Sequence, residues 1–123
     1  MTDKETDKEV QLTGQLRRIN EQQEDNQLAL RKRNESEDFI HEAYSLEQSF
    51  LNDLSEVLHT SNSVQFLQSI EEEHHMCRRQ SFTRLEEQLE NLQQEKQTLT
   101  EKENDLLCER TALLQEEVKA DEY

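Results

Sequence analysis

Proline is missing from this 123-residue chain and Gly14 is its only glycine, so the two residues that interrupt helices most sharply have almost no say in where it bends. Cysteine is nearly as scarce. Cys77 and Cys108 stand alone, with no Cys-x-x-Cys pair and no framework of bridges, which fits a reducing compartment and cytoplasmic synthesis. No stretch approaches the roughly 18 consecutive apolar residues of a membrane span, and the charged opening from Met1 to Glu9 lacks the apolar run of a signal peptide. Neither membrane insertion nor the general secretory route is expected.

Positive charge is also in short supply. The formal net charge is −15, and such a surface repels a nucleic-acid backbone or an anionic membrane instead of releasing counterions from it. A leucine-zipper transcription factor is excluded on the same ground, because the residues leading into the zipper would have to be basic and here include Glu71, Glu72 and Glu73. Hydrophobic residues make up 31% of the chain, well under the roughly 45–50% of ordinary globular domains. A thick core is out of reach. Leu, Ile, Val and Phe account for 28 of 123 residues, only just above the level at which chains stay disordered. Their regular spacing is what allows the chain to fold.

Leu85, Leu92, Leu99, Leu106 and Leu113 recur every seven residues, interleaved with Phe82, Leu89, Lys96, Glu103 and Arg110. This is a coiled-coil seam, uniformly leucine on one line and turning charged toward the C-terminus on the other. A single amphipathic helix cannot bury such a stripe against itself, so a second helix is required, from earlier in the chain or from another molecule. Ala, Glu, Lys, Leu and Arg supply 57 of 123 residues, close to a long-helix composition. The earlier part of the chain offers a matching frame. Leu12, Leu16, Ile19, Leu30, Ile40, Tyr44, Leu51, Leu54 and Leu58 fall on one heptad pattern, interrupted by Gln23, Asn26, Arg33, Glu37 and Glu47.

One polar cluster, His59 to Ser63, punctuates the chain. Its short polar side chains compete with the helix ladder and cap its ends; Asn62 with Gln65 resembles a capping box, with Ser61 or Ser63 as alternative caps. The expected fold is therefore all-α: an antiparallel two-helix hairpin with helix 1 over about 9–58, a turn at 59–63 and helix 2 over about 63–118. Residues 1–8 are expected to be a disordered tail and 119–123 a C-terminal tail. One unbroken helix is the alternative. Folding about residues 61 and 62 sets position i opposite roughly 121 to 123 minus i, which brings Arg33 near Glu90, Arg18 near Asp105, Glu37 near Arg84 and Asp25 near Lys96. Two helices of about 50 residues would span on the order of 75–80 Å.

Apolar residues crowd toward the turn: ten of the twenty residues from Phe39 to Leu58, against six of the twenty-seven from Leu12 to Asp38. They form two stripes. Ile40, Tyr44, Leu51, Leu54 and Leu58 make one, and Phe39, Ala43, Leu46, Phe50 and Val57 the other. A single neighbouring helix covers one stripe, so the other stays wet unless the hairpin has a wide two-helix core or a partner adds further helices. The expected partner-binding residues are Phe39, Ile40, Tyr44, Leu46, Phe50, Leu51, Leu54 and Phe66 near the turn, together with Phe82, Leu85, Leu92, Leu99, Leu106 and Leu113 of the seam. No catalytic or cofactor-binding residue is expected. Glu71-x-x-His74 and Glu72-x-x-His75 match the element used by carboxylate-bridged metal bundles, but 22 glutamates make that match cheap. The second element and the further inward carboxylates such a site needs are missing. Cys77 and Cys108 have no concave pocket in which to act as nucleophiles, and no glycine-rich phosphate loop is present.

The opening Gln15-Leu16-Arg17-Arg18-Ile19-Asn20-Glu21, the aromatic-rich approach from Phe39 to Leu58 and the closing Glu103-Asn104-Asp105-Leu106-Leu107-Cys108-Glu109-Arg110 resemble the WXG and ESX superfamily of bacterial type VII secretion. More closely, the chain is similar to the small helical proteins that accompany LXG toxins, over about residues 10–118. The turn has His59 to Ser63 where a Trp-x-Gly would stand. A Tyr-x-x-x-Asp/Glu export signal is absent, Phe82-Thr-Arg-Leu-Glu86 being its nearest echo. The resemblance implies a non-enzymatic accessory subunit that binds the helical N-terminal domain of a toxin, with a second small helical protein as a further partner. The export signal would come from another subunit, and the chain would be cytoplasmic or leave with its cargo. A homodimeric structural tether pairing through Leu85 to Leu113 is the rival reading.

Overall fold

The computed structural model describes residues 3–58 and 60–121. Two helices, α1 over Asp3–Val57 and α2 over Ser61–Asp121, form an all-α helical hairpin. Neither helix contains proline, and Gly14 is the one glycine, disfavouring helix by about 1 kcal/mol relative to alanine. Gly14 lies within α1, on its exposed side and with open space around it, so its missing Cβ serves no close approach.

The link between the helices is shorter than expected. The Leu58 N–H still bonds to the Leu54 carbonyl at 2.9 Å, and the Val64 N–H already bonds to the Thr60 carbonyl at 2.9 Å. Ser61, Asn62 and Ser63 therefore belong to the first turn of α2, and the cap is Thr60, whose hydroxyl oxygen accepts the Ser63 N–H at 3.3 Å. This corrects the assignment of the cap to Asn62, Ser61 or Ser63. Thr60 lies three residues before the N–H it satisfies, the spacing a capping hydroxyl requires. His59 lies outside the described residues.

The ends differ from expectation as well. α1 begins at Asp3, so residues from there to Lys8 are helical and not a disordered tail, while α2 runs past residue 118 to Asp121. Met1, Thr2, Glu122 and Tyr123 lie outside the described residues. The longer α1 has a packing cause: Lys8 borders a shallow depression with Leu12, Glu109, Leu113 and Glu116, so α2 provides a surface there.

The chain divides into two compact units, residues 1–29 with 92–123, and residues 30–91. In the first, Leu12, Leu16 and Ile19 of α1 and Leu99 and Leu113 of α2 are buried. Asn26 is buried among them and donates from Nδ2 to the Leu92 carbonyl at 2.9 Å. In the second, Leu51, Leu67 and Leu85 form the buried apolar set, joined by Arg33 and His74. Arg33 Nε donates to the Leu85 carbonyl at 3.0 Å, and its Nη1 bonds to Asn34 Oδ1 and pairs with Glu37. Tyr44 and Ser81 share a hydroxyl hydrogen bond of 2.9 Å.

Near the turn the helices pair close to the expected register, His41 meeting Phe82 and Glu47 meeting His74, but the expected charge pairs do not form. Arg18 and Asp105 line the same shallow groove, yet among the described residues neither that pair nor Arg33 with Glu90, Glu37 with Arg84 or Asp25 with Lys96 forms an ion pair. Arg33 lies in the seam instead of on its rim. There its guanidinium is taken up by a backbone carbonyl and by Glu37 one turn on. The seam of α2 also shifts frame once. Leu67, His74 and Ser81 keep a seven-residue spacing, whereas Leu85, Leu92 and Leu99 continue one frame on, so two four-residue steps follow each other from Ser81 to Leu89. Such an insertion locally unwinds a left-handed supercoil. Phe82 falls in that interval and is half-buried.

Candidate functional site

The heptad frame decides which side chains this hairpin buries. Residues at the a and d positions of α1, among them Ile40, Tyr44, Leu51 and Leu54, turn toward α2, and the residues just before them in sequence fall on one flank. That flank carries Phe39, Ala43, Leu46, Phe50 and Val57. Their large members remain exposed, Phe39 at 72%, Leu46 at 67%, Phe50 at 61% and Val57 at 74% of their full area. The second stripe is wet in the folded chain, so the wide two-helix core does not form.

α2 adds to the same flank. In an antiparallel pair the two helices are related by an axis normal to their common plane, which leaves residues preceding seam positions of both helices on one side. Phe66 precedes the buried Leu67 and is 66% exposed; Ile70, half-buried, and Cys77, exposed, continue the line. The opposite flank supports this placement. His41, which follows Ile40, and Phe82, which follows Ser81, meet there with ring centroids 4.4 Å apart, and Arg78 covers the Phe82 ring at 5.8 Å. Within residues 30–91 the opposite flank carries this His41–Phe82 ring contact, whereas the large side chains of the first flank are exposed.

The expected partner-binding residues thus separate into three groups. Phe39, Leu46, Phe50 and Phe66 are exposed and lie on the open flank. Ile40, Tyr44, Leu54, Phe82, Leu92 and Leu106 are half-buried, and Leu51, Leu85, Leu99 and Leu113 are buried between the helices. The leucine seam is spent on α1, so its leucines hold the hairpin together. Val57 belongs with the exposed group, and its place on the line Phe39, Ala43, Leu46, Phe50 was the signal for it. A shorter exposed run, Leu107, Leu114 and Val118, lies on α2 in the other unit, each residue following a seam position.

The Glu-x-x-His elements do not converge. His74 is buried with Nδ1 2.9 Å from Glu47 Oε1, but the ring is turned so that neither of its nitrogens completes a hydrogen bond. Tyr44 packs against it edge-on at 5.5 Å. Among the described residues no group of three or more His, Cys, Asp or Glu side chains is placed to hold a metal ion. No helix among them is long and apolar enough to cross a membrane.

What fold and site define is a helical hairpin with a closed seam and an uncovered apolar flank within residues 30–91. Residues 8–113 match the model of DUF3958, described as a protein of unknown function, and the chain belongs to that family. No curated protein and no solved structure matches it.

Proposed function

We propose that this hairpin is a non-enzymatic accessory subunit of bacterial type VII secretion. It binds the helical N-terminal domain of an LXG toxin, together with a second small helical protein, and so stabilises the toxin and directs it to export. The observation that carries this reading is the uncovered stripe of Phe39, Leu46, Phe50 and Val57 on a hairpin whose leucine seam is already closed. Large apolar side chains at exposed, regularly spaced positions are the usual anchors of helix-in-groove binding. A partner that covers them stabilises the complex by mass action. The sequence likeness to the helical companions of LXG toxins supplies the system; the family match supplies no function.

The rival tether would pair copies through Leu85 to Leu113. Those leucines are covered by α1, so that dimer has first to open the hairpin. Co-expression with the cognate toxin domain followed by size exclusion tests the proposal. A stable complex is expected, Phe50→Asp should abolish it while leaving the far-ultraviolet circular dichroism unchanged, and deletion should lower toxin level or export without altering its catalytic domain. Toxin that is stable and exported normally without this chain refutes the assignment.

A further inference from the structure

The open flank lies in a part of the chain with an unusual charge pattern. Between Arg33 and Arg78 there is not one Lys or Arg, while ten Asp and Glu residues fall there. Ten of the fifteen net negative charges are therefore concentrated in this turn-side segment. Several of them edge the apolar stripe: Glu42 beside Ala43, Glu56 beside Val57, and Asp53 in the same row as Phe39 and Leu46, two turns beyond Leu46. None of these three carboxylates forms an ion pair with another described residue.

From this juxtaposition of an apolar stripe and an unpaired acidic rim we infer that the flank from Phe39 to Val57 receives an amphipathic helix with a Lys- and Arg-rich rim, contributed by a different protein. A second copy of this chain is the wrong occupant. Docking two such flanks face to face would bring two all-acidic rims together as the stripe is desolvated, and like charges juxtaposed at an interface are strongly unfavourable. A basic-rimmed helix has the opposite balance: its apolar face covers the stripe, and its cations meet carboxylates that have no partner in the free hairpin. The stripe spans 19 residues, about 27 Å of helix axis, so five turns of partner helix suffice to cover it. This deepens the function proposed above and rests on it only for the existence of a helical partner.

The test uses the full chain and two synthetic helices of about 20 residues with the same Leu and Phe stripe, one rimmed with Lys and Arg, the other with Glu. Fluorescence anisotropy should show binding of the basic-rimmed peptide, weakening as ionic strength rises, and none of the acidic-rimmed one. Phe50→Asp should weaken that binding about tenfold or more. Non-specific attraction to an acidic protein predicts the reverse, since this change adds a negative charge. Leu46→Asp, also at an exposed position, repeats the test on a second residue should Phe50→Asp disturb folding. Reversing the rim with Glu42→Lys, Asp53→Lys and Glu56→Lys should exchange the preference between the two peptides. Equal binding of both peptides, or of neither, overturns the inference. So does a homodimer in sedimentation that Phe50→Asp dissociates. The two proposals fail separately: a toxin complex that forms although the basic peptide does not bind sinks this inference alone, and peptide binding with normal toxin export in the deletion strain sinks only the secretion assignment.

Discussion

Adjacent residues of α1 have opposite fates, and Phe50 and Leu51 make the contrast plainest. Leu51 is 2% exposed and Phe50 is 61% exposed, although Phe50 is the larger hydrophobe. One step along a helix turns a side chain by about 100°, enough to carry it from the seam to the open flank. Stability should follow burial and not size. Leu51→Ala is expected to cost about 2–5 kcal/mol, the range for emptying a buried leucine site, whereas Phe50→Ala should stay within about 0.5 kcal/mol, as surface changes do. Urea titration of the two variants measures both. A larger loss for Phe50→Ala would mean that the aromatic ring is covered in the folded chain.

At the scale of the element, each helix pairing contains a buried polar contact that apolar packing does not demand. Asn26 reaches the Leu92 carbonyl in one unit and Arg33 reaches the Leu85 carbonyl in the other. Both sit at seam positions where Leu or Ile would bury more apolar area. Buried polar groups at such positions lower stability but set register, because sliding the partner helix leaves them desolvated without a bond. The double variant Asn26→Leu/Arg33→Leu is accordingly expected to resist denaturant as well as or better than the parent. It should also lose uniqueness, populating dimers or higher species in sedimentation velocity. A double variant that is markedly less stable and strictly monomeric would show that these residues contribute to stability and not to register.

For the whole molecule, the antiparallel pairing is open to direct measurement within each unit. In a background with Cys77 and Cys108 replaced by Ser, spin labels at Glu24 and Gln97 report on one unit, and labels at Glu42 and Arg79 on the other. Both pairs should give intrachain distances on the order of 20 Å, an interhelical spacing plus the label arms. A continuous helix would put the first pair on the order of 110 Å apart, and that result would overturn the hairpin.

Much of this architecture is legible in the residues themselves. The seven-residue recurrence of Leu85 to Leu113, the matching frame of α1 from Leu12 to Leu58 and the single polar break between them determine two helices, their approximate register and the existence of a second apolar stripe. Periodicity suffices there because helical geometry converts spacing into direction with no knowledge of the partner. Three things needed the folded chain. The cap fell to Thr60, since competing Ser, Thr and Asn hydroxyls and amides within one polar cluster differ only in which N–H they reach. Arg33 joined the seam and broke the expected charge pairs, since a long side chain can serve a buried carbonyl or a surface carboxylate and sequence spacing does not choose between them. Finally, the leucine seam closed on α1 while the flank of Phe39, Leu46, Phe50 and Val57 stayed open. One helix presents only enough surface to cover one stripe, and which of two apolar stripes it covers depends on the packing of both helices at once.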